Sequence, residues 1–324
     1  MSRTSYFMAA TSLPNTTNAA DALPAASRSS VQFEWALLVL PGLIWGASYL
    51  FIAQALEALA PDGITFARFA IGFVTLSLVP GARRPVLRSD RAGIALLGVV
   101  WLAFPMSMFP HAERHVSSAL TGMLNGAIPL IATGVAAIVA RRLPGRTVVA
   151  GLMVGFGGAV LMALPGLQAG SSSARGVLLI TAALVSYGVA INLARPLQQR
   201  NGALPVVWHA IGVALILTAP LGLPAVLAAR WSLRSLLSVL ALGFLGTAAA
   251  YVIMAAATGR FGATRASATT FLIPVVALLL GVAVHGERVP ALAIGGSALC
   301  LAGAWFVRRG TVHPRSTPKS PPDE

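Results

Sequence analysis

Charged side chains are scarce in this chain. They make up 10% of its 324 residues, against about 25% in a soluble domain, and only nine residues are Asp or Glu. With 56% of positions hydrophobic and a mean hydropathy of +0.80, a water-facing surface cannot be assembled, and a soluble globular fold is excluded. Cysteine occurs once, as Cys300 within an apolar run, which removes a disulfide framework and a thiolate metal cluster. No Gly-Lys-Ser or Gly-Lys-Thr is present, so a phosphate loop is excluded and the expectation is no bound cofactor. The acids, His and Cys do not gather at one depth, as a membrane enzyme would require. Ten membrane crossings of about 20 residues each would use about 200 positions. The remainder cannot hold a further domain of about 100–150 residues, such as a receptor would be expected to carry.

What is abundant is apolar sequence in blocks. Ten spans are expected near 35–56, 62–80, 92–110, 116–140, 147–165, 176–194, 204–228, 236–258, 264–284 and 289–307, giving an all-α integral membrane fold. Residues 1–34 and 308–324 read as polar tails, with 35–165 and 176–307 as two five-helix halves. The net charge of +14 sits between the blocks, where it reports topology rather than nucleic-acid affinity. With the N-terminus inside, Arg114, Arg175, Arg230, Arg234 and Arg288 fall outside and Arg68 falls within a span. The other seventeen of the 23 Lys and Arg fall inside, so both termini are expected to be cytoplasmic. Arginine in place of lysine, with abundant Ala and Gly, fits a GC-rich bacterial genome and hence a bacterial inner membrane.

The halves resemble each other. Asn125-Gly-Ala-Ile-Pro-Leu superposes on Thr270-Phe-Leu-Ile-Pro-Val at an offset that also places Gly151 on Gly296 and Gly158 on Gly303. Ala70-Ile-Gly likewise matches Ala210-Ile-Gly, and Pro80 matches Pro220. Two halves of five spans each must run in opposite directions, the inverted repeat that supports alternating access around a site near the midplane.

Ile44-Trp-Gly-Ala-Ser-Tyr-Leu-Phe, then Pro61 and Phe66-Ala-Arg-Phe, resemble the opening of a ten-helix exporter of the drug/metabolite transporter superfamily, EamA-like branch. The second half agrees in Leu242-Gly-Phe-Leu-Gly-Thr-Ala-Ala-Ala-Tyr, Gly262-Ala-Thr-Arg-Ala-Ser, Leu272-Ile-Pro-Val-Val-Ala and Gly286-Glu. The resemblance covers Trp35 to Val307 and implies a secondary exporter of amino acids or related metabolites, or alternatively of amphipathic drugs. The chain departs from the family at Arg141-Arg142, where the fourth span often ends in Gly-Glu. The expected partners are a small-molecule substrate and membrane lipid, with no nucleic acid; a homodimer is left open.

Candidate cavity residues follow from polarity within the spans. Arg68 lies inside the second span, where a guanidinium must pair, snorkel or face water. It is either a carboxylate-binding cavity residue or an interfacial partner of Glu57 or Asp62. Trp45, Trp101, Tyr187 and Tyr251 are aromatics away from the interfaces, and either line the cavity or fill lipid-facing space. Ser48 and His209 are further polar candidates. Asn125 and Thr270 precede Pro129 and Pro274, whose missing N–H groups mark helix breaks that free backbone carbonyls. His285 and Glu287, at the end of the ninth span, are gate or loop-fixing candidates. His111, Glu113, Arg114 and His115 share a short loop but lack the convergent ligands of a metal site. No acid lies mid-span, so a deep carboxylate relay is not expected, which leaves histidine or uncoupled transport. The glycine runs at Gly151–Gly158 and Gly295-Gly296 are spaced for close helix contact.

Overall fold

The computed structural model describes residues 28–141, 143–168, 171–261 and 266–312, and among these the backbone forms helices and turns without a strand. Ten helical rods follow the ten expected spans in order. They are α1 (Arg28–Ala55), α2 (Pro61–Ser77), α3 (Arg88–Glu113), α4 (Ser118–Ala140), α5 (Arg146–Gln168), α6 (Ser171–Asn201), α7 (Ala203–Leu227), α8 (Leu233–Phe261), α9 (Leu272–His285, entered through a 3-10 turn at Ser267–Phe271) and α10 (Ala291–Val312). Eight are long and apolar enough to cross a membrane, and α2 and α9 are shorter. Helix α1 starts at Arg28, α6 continues to Asn201 and α10 reaches Val312, beyond the expected ends at 35, 194 and 307. In each case polar residues extend the rod past its apolar run, because backbone hydrogen bonds continue where hydropathy stops. The rest of both expected tails, Arg142, and Gly262 to Arg265 of the second-half motif lie outside the described residues.

The repeat is visible in the packing. Helix α5 lies against α10, α2 against α7 and α4 against α9, each on its own counterpart. The contact of α1 with α9 is mirrored by α6 with α4, and that of α3 with α6 by α8 with α1. Irregularities repeat too. Both α3 and α8 carry a π-helical stretch, at Gly98–Ala103 and Phe244–Ala249. Helix α4 is interrupted by a 3-10 turn at Asn125–Ala127 just before Pro129, and the 3-10 turn ahead of α9 leads to Pro274. Both α4 and α9 are followed by a left-handed residue, Arg141 at φ 50° and Gly286 at φ 63°. Glycine serves that position without strain, whereas Arg141 holds it against its own Cβ. The break from Gly-Glu in the first half is therefore a change of residue and not of backbone geometry.

Charged and polar side chains pair between helix ends on the same face of the bundle. Arg234–Glu57 at 3.3 Å and His111–Asp62 at 3.1 Å join elements at the charge-poor face. Arg200–Asp90 at 2.8 Å and Arg260–Glu34 at 3.2 Å join elements at the arginine-rich face.

Between α5 and α10 the backbones touch. A Cβ on Gly158 would lie 2.6 Å from the Gly296 carbonyl oxygen, and one on Gly151 would lie 2.8 Å from that of Gly303. Leucine at Gly158 must force these helices apart, and overpacking of this kind costs about 1–3 kcal/mol. Gly158→Leu is expected to lower the thermal unfolding midpoint in detergent clearly. Gly157→Leu, at a position with nothing within 4 Å of its would-be Cβ, should leave the midpoint nearly unchanged.

Candidate functional site

Arg68 is the eighth residue of the 17-residue α2, counted from Pro61, and thus near mid-span, yet it is only 6% exposed. What accommodates it is the π-helical stretch of α8. There the Thr247 hydroxyl donates to the carbonyl of Leu242, five residues back, at 3.0 Å, and accepts the Arg68 Nε–H at 2.8 Å. The Gly246 carbonyl accepts the Trp45 indole N–H at 3.1 Å and, at 3.5 Å, an Arg68 Nη2–H. A Cβ on Gly246 would stand 3.1 Å from the Ser48 hydroxyl and 3.4 Å from Arg68 Nη2, so glycine keeps the guanidinium's approach open. These partners are neutral oxygens. Among the described residues Arg68 makes no ion pair, and the two acids that might have neutralised it are engaged elsewhere, Asp62 with His111 and Glu57 with Arg234.

Aromatic rings cluster near this cation. Tyr251 receives Trp45 and Trp101 edge-on, with centroids 5.7 and 5.4 Å away. Phe109 meets Tyr49 edge-on at 5.6 Å and stacks on Tyr187 at 5.9 Å. Tyr49, Tyr187 and Tyr251 all lie within electrostatic reach of Arg68. Four of the aromatics proposed from sequence thus converge, and with Arg68 and Ser48 they form one cluster contributed by α1, α2, α3, α6 and α8. The pseudo-symmetric position in the other half is built differently. The π-helical carbonyl of Val100 accepts the Ser186 hydroxyl at 2.6 Å, as Gly246 accepts Trp45. The residue that matches Arg68 at the offset of Ala70 to Ala210, however, is Trp208, whose indole donates to Ser77 at 2.8 Å and whose ring stacks on Phe73. The scaffold is repeated while the charge is single.

The other candidates separate. Asn125, 9% exposed, lies beside Tyr49 at the edge of the cluster, with its Oδ1 unpartnered. Thr270 sits in the 3-10 turn before α9, opposite in the repeat to Asn125. His209 lies apart from Arg68. It accompanies Val86, Arg91, Ile94 and Val213 in a surface cleft, contacts its own helix at the Pro205 oxygen (2.9 Å) and meets Trp208 edge-on. Glu287 fixes the start of α4, accepting from the Ser118 N–H at 2.9 Å, the Ser118 hydroxyl at 2.7 Å and the Ala119 N–H at 2.8 Å. An anion on these unsatisfied donors is stabilised by the helix dipole as well, and the contact ties the two halves together at the charge-poor face. His285 is adjacent, with Nε2 buried and unpartnered. His111 is bonded to Asp62.

Thr247, Gly246, Tyr49 and Phe109 were not singled out from sequence. The first two stood in the quoted Leu242-to-Tyr251 motif, but nothing in the residue order announces a π-helical stretch or the carbonyl it frees. Tyr49 and Phe109 look like ordinary apolar bulk until their partners on other helices are known.

A model of the EamA-like transporter family matches this chain twice, over residues 33–164 and 174–309. A probable terminal-alkyne amino-acid exporter of Streptantibioticus cattleyicolor is 29% identical over 89% of this chain and 97% of its own length. The uncharacterized inner membrane transporter YedA of Escherichia coli K12 is 26% identical over 78% of this chain and 84% of its own length. An uncharacterized transporter of Archaeoglobus fulgidus is 22% identical over 85% and 99%. A crystal structure at 20% identity shares the fold, with a TM-score of 0.57 over 87% of this chain and 96% of that one.

Removing the one short bond to Arg68 leaves a buried guanidinium underpaired. Thr247→Val is nearly isosteric and is expected to destabilise the protein by about 1.5–3 kcal/mol, the range for a hydrogen bond to a charged group. Thermal unfolding in detergent checks this, with Thr247→Ser expected to keep most of the stability.

Proposed function

Because the chain belongs to the EamA-like transporter family, and so is a multi-pass membrane transporter of small solutes rather than an enzyme, we propose that it exports small amino acids or closely related metabolites across a bacterial inner membrane. The observation that carries this reading is Arg68, a buried mid-span cation held by neutral oxygens, with three tyrosines of the aromatic cluster within electrostatic reach. A guanidinium whose Nε–H is already committed still presents N–H groups to a carboxylate, the geometry arginine favours. Trp45, Trp101 and Tyr251 supply faces that suit an ammonium through cation–π attraction or an apolar side chain through burial. An amino acid carries all three groups on one small frame. The exporter at 29% identity, whose name specifies an amino acid with an unsaturated apolar side chain, supports the same class.

Movement follows from the repeat. Each half is one inverted five-helix unit, and the central cluster draws residues from both, so rocking of one half on the other exposes Arg68 to each face in turn. The strips that hold or release are the contacts across the halves, Glu287 with the start of α4 and Glu57 with Arg234 at one face, Asp90 with Arg200 and Glu34 with Arg260 at the other. The seventeen-to-five bias of Lys and Arg supports a cytoplasmic side for the second pair of contacts and for both termini.

Counterflow of radiolabelled amino acids into preloaded proteoliposomes tests the substrate class. Apolar amino acids are expected to exchange, and Arg68→Ala should reduce that exchange at least tenfold, about 1.4 kcal/mol, while amines lacking the carboxylate are affected far less. The aromatic cluster alone would also suit amphipathic drugs. If cationic drugs exchange, amino acids do not, and Arg68→Ala changes nothing, export of drugs replaces this reading. Reporter fusions at the two termini are expected to give cytoplasmic signals at both.

A further inference from the structure

Glu113 is the last residue of α3, and sequence alone placed it in a polar loop. In the structure both of its carboxyl oxygens are sealed from the surface and have no hydrogen-bond partner among the described residues. Every other described acid is engaged: Glu34, Glu57 and Asp90 in ion pairs with arginines, Asp62 on His111, Glu287 on the start of α4. Glu113 is packed at the place where the two halves close at the charge-poor face, five residues before the Ser118 to which Glu287 is bonded.

Its surroundings decide which form of the carboxyl fits. Glu287 lies close enough to act on Glu113 electrostatically, and so does Tyr49 of α1. Helix α2, packed against α3, carries Asp62, already bonded to His111, and Arg68, held by Thr247. Helix α6, also packed against α3, carries Tyr187 and, near its start, Arg175. The turns add Arg114 and His115 after Glu113, and His285 and Arg288 flanking Glu287. None of these gives the Glu113 oxygens a hydrogen bond, and the second carboxylate opposes a negative charge there. An ionised carboxylate stripped of water and left unpaired is several kcal/mol out of favour, and such a group neutralises instead. Glu113 fits the closed packing with its proton on. Once the charge-poor face opens and water reaches it, an ordinary glutamic acid at neutral pH gives the proton up.

We propose that Glu113 is a proton-binding site linked to opening of the charge-poor face, occupied when the outer ends of α3, α4 and α9 are packed together and vacated when they part. This deepens the transporter reading above. It makes the exit step of export depend on pH at that face: a high pH favours the open, ionised form, and a low pH favours the closed, protonated one. The linkage can change the open-to-closed ratio by at most tenfold per pH unit, since one proton is exchanged.

Amide hydrogen exchange of the α3–α4 turn, residues 110–120, in the full-length protein in nanodiscs tests this without any substrate. After correction for the chemical exchange rate, exchange in this segment is expected to rise between about pH 5.5 and 8.5. Glu113→Gln, which keeps the shape and cannot ionise, should abolish that rise and stay slow, and Glu113→Asp should retain it. A Glu113→Gln protein with the unchanged pH response overturns the proposal, as does a response that disappears in His115→Gln or Glu287→Gln but not in Glu113→Gln. A response that follows sodium against choline at fixed pH also overturns it, because the ligand would then be a metal cation. Amino-acid counterflow at the same outer pH values is the second readout. Its absence at every pH with the exchange response intact refutes the substrate assignment and leaves the proton site standing.

Discussion

In hydrocarbon no water is available to a backbone amide, so every N–H and C=O must find its partner within the protein. That constraint makes the ten rods, and it also gives weight to each departure from regular helix. Where α3 and α8 loosen into π-helical turns, the released carbonyls of Val100 and Gly246 are taken up at once by Ser186 and Trp45 on neighbouring helices. Where α4 and α9 tighten into 3-10 turns, a proline without an N–H stands directly beyond. The irregular places are therefore where helices are joined by side chains, and they come in pairs because the fold does.

The pairing makes the single charge informative. A symmetric scaffold presents the same freed carbonyl in both halves, yet only one half carries an arginine beside it. Trp208 fills the other position by stacking on Phe73. A buried cation that served stability alone would be poorly placed among neutral oxygens, since burying a charge without a counter-ion is unfavourable. It is intelligible if the counter-ion arrives with the solute. Its burial keeps water away and so strengthens that attraction.

The two ends of the molecule are held by different chemistry. At the arginine-rich face Arg200 grips Asp90 through two bonds, at 2.8 and 3.0 Å, and Asn201 adds a third at 2.7 Å. At the charge-poor face the central contact is a carboxylate on a helix start, with a second, unpartnered carboxyl beside it. The first arrangement is insensitive to protons over ordinary pH, because aspartate and arginine both keep their charges. The second contains a group whose charge depends on whether water reaches it.

Much of this was legible in the sequence. Hydropathy gave the ten crossings, because lipid demands about 20 apolar residues wherever a chain crosses. The shared offset pointed to the repeat, and the glycine runs, spaced for close helix contact, are where α5 and α10 touch. These are properties of composition and period, which a linear chain displays openly. Arg68 was visible as an anomaly, but its environment was not: the acids nearest in sequence turned out to be paired elsewhere, and its real partners come from residues nearly 180 positions away. His209 and Tyr187 were equally plausible as letters, and only packing put one at the surface cleft and the other in the ring cluster. Glu113 read as part of a solvated loop. Whether a side chain is hydrated, paired or stranded depends on which helices converge on it, and that convergence is decided in three dimensions.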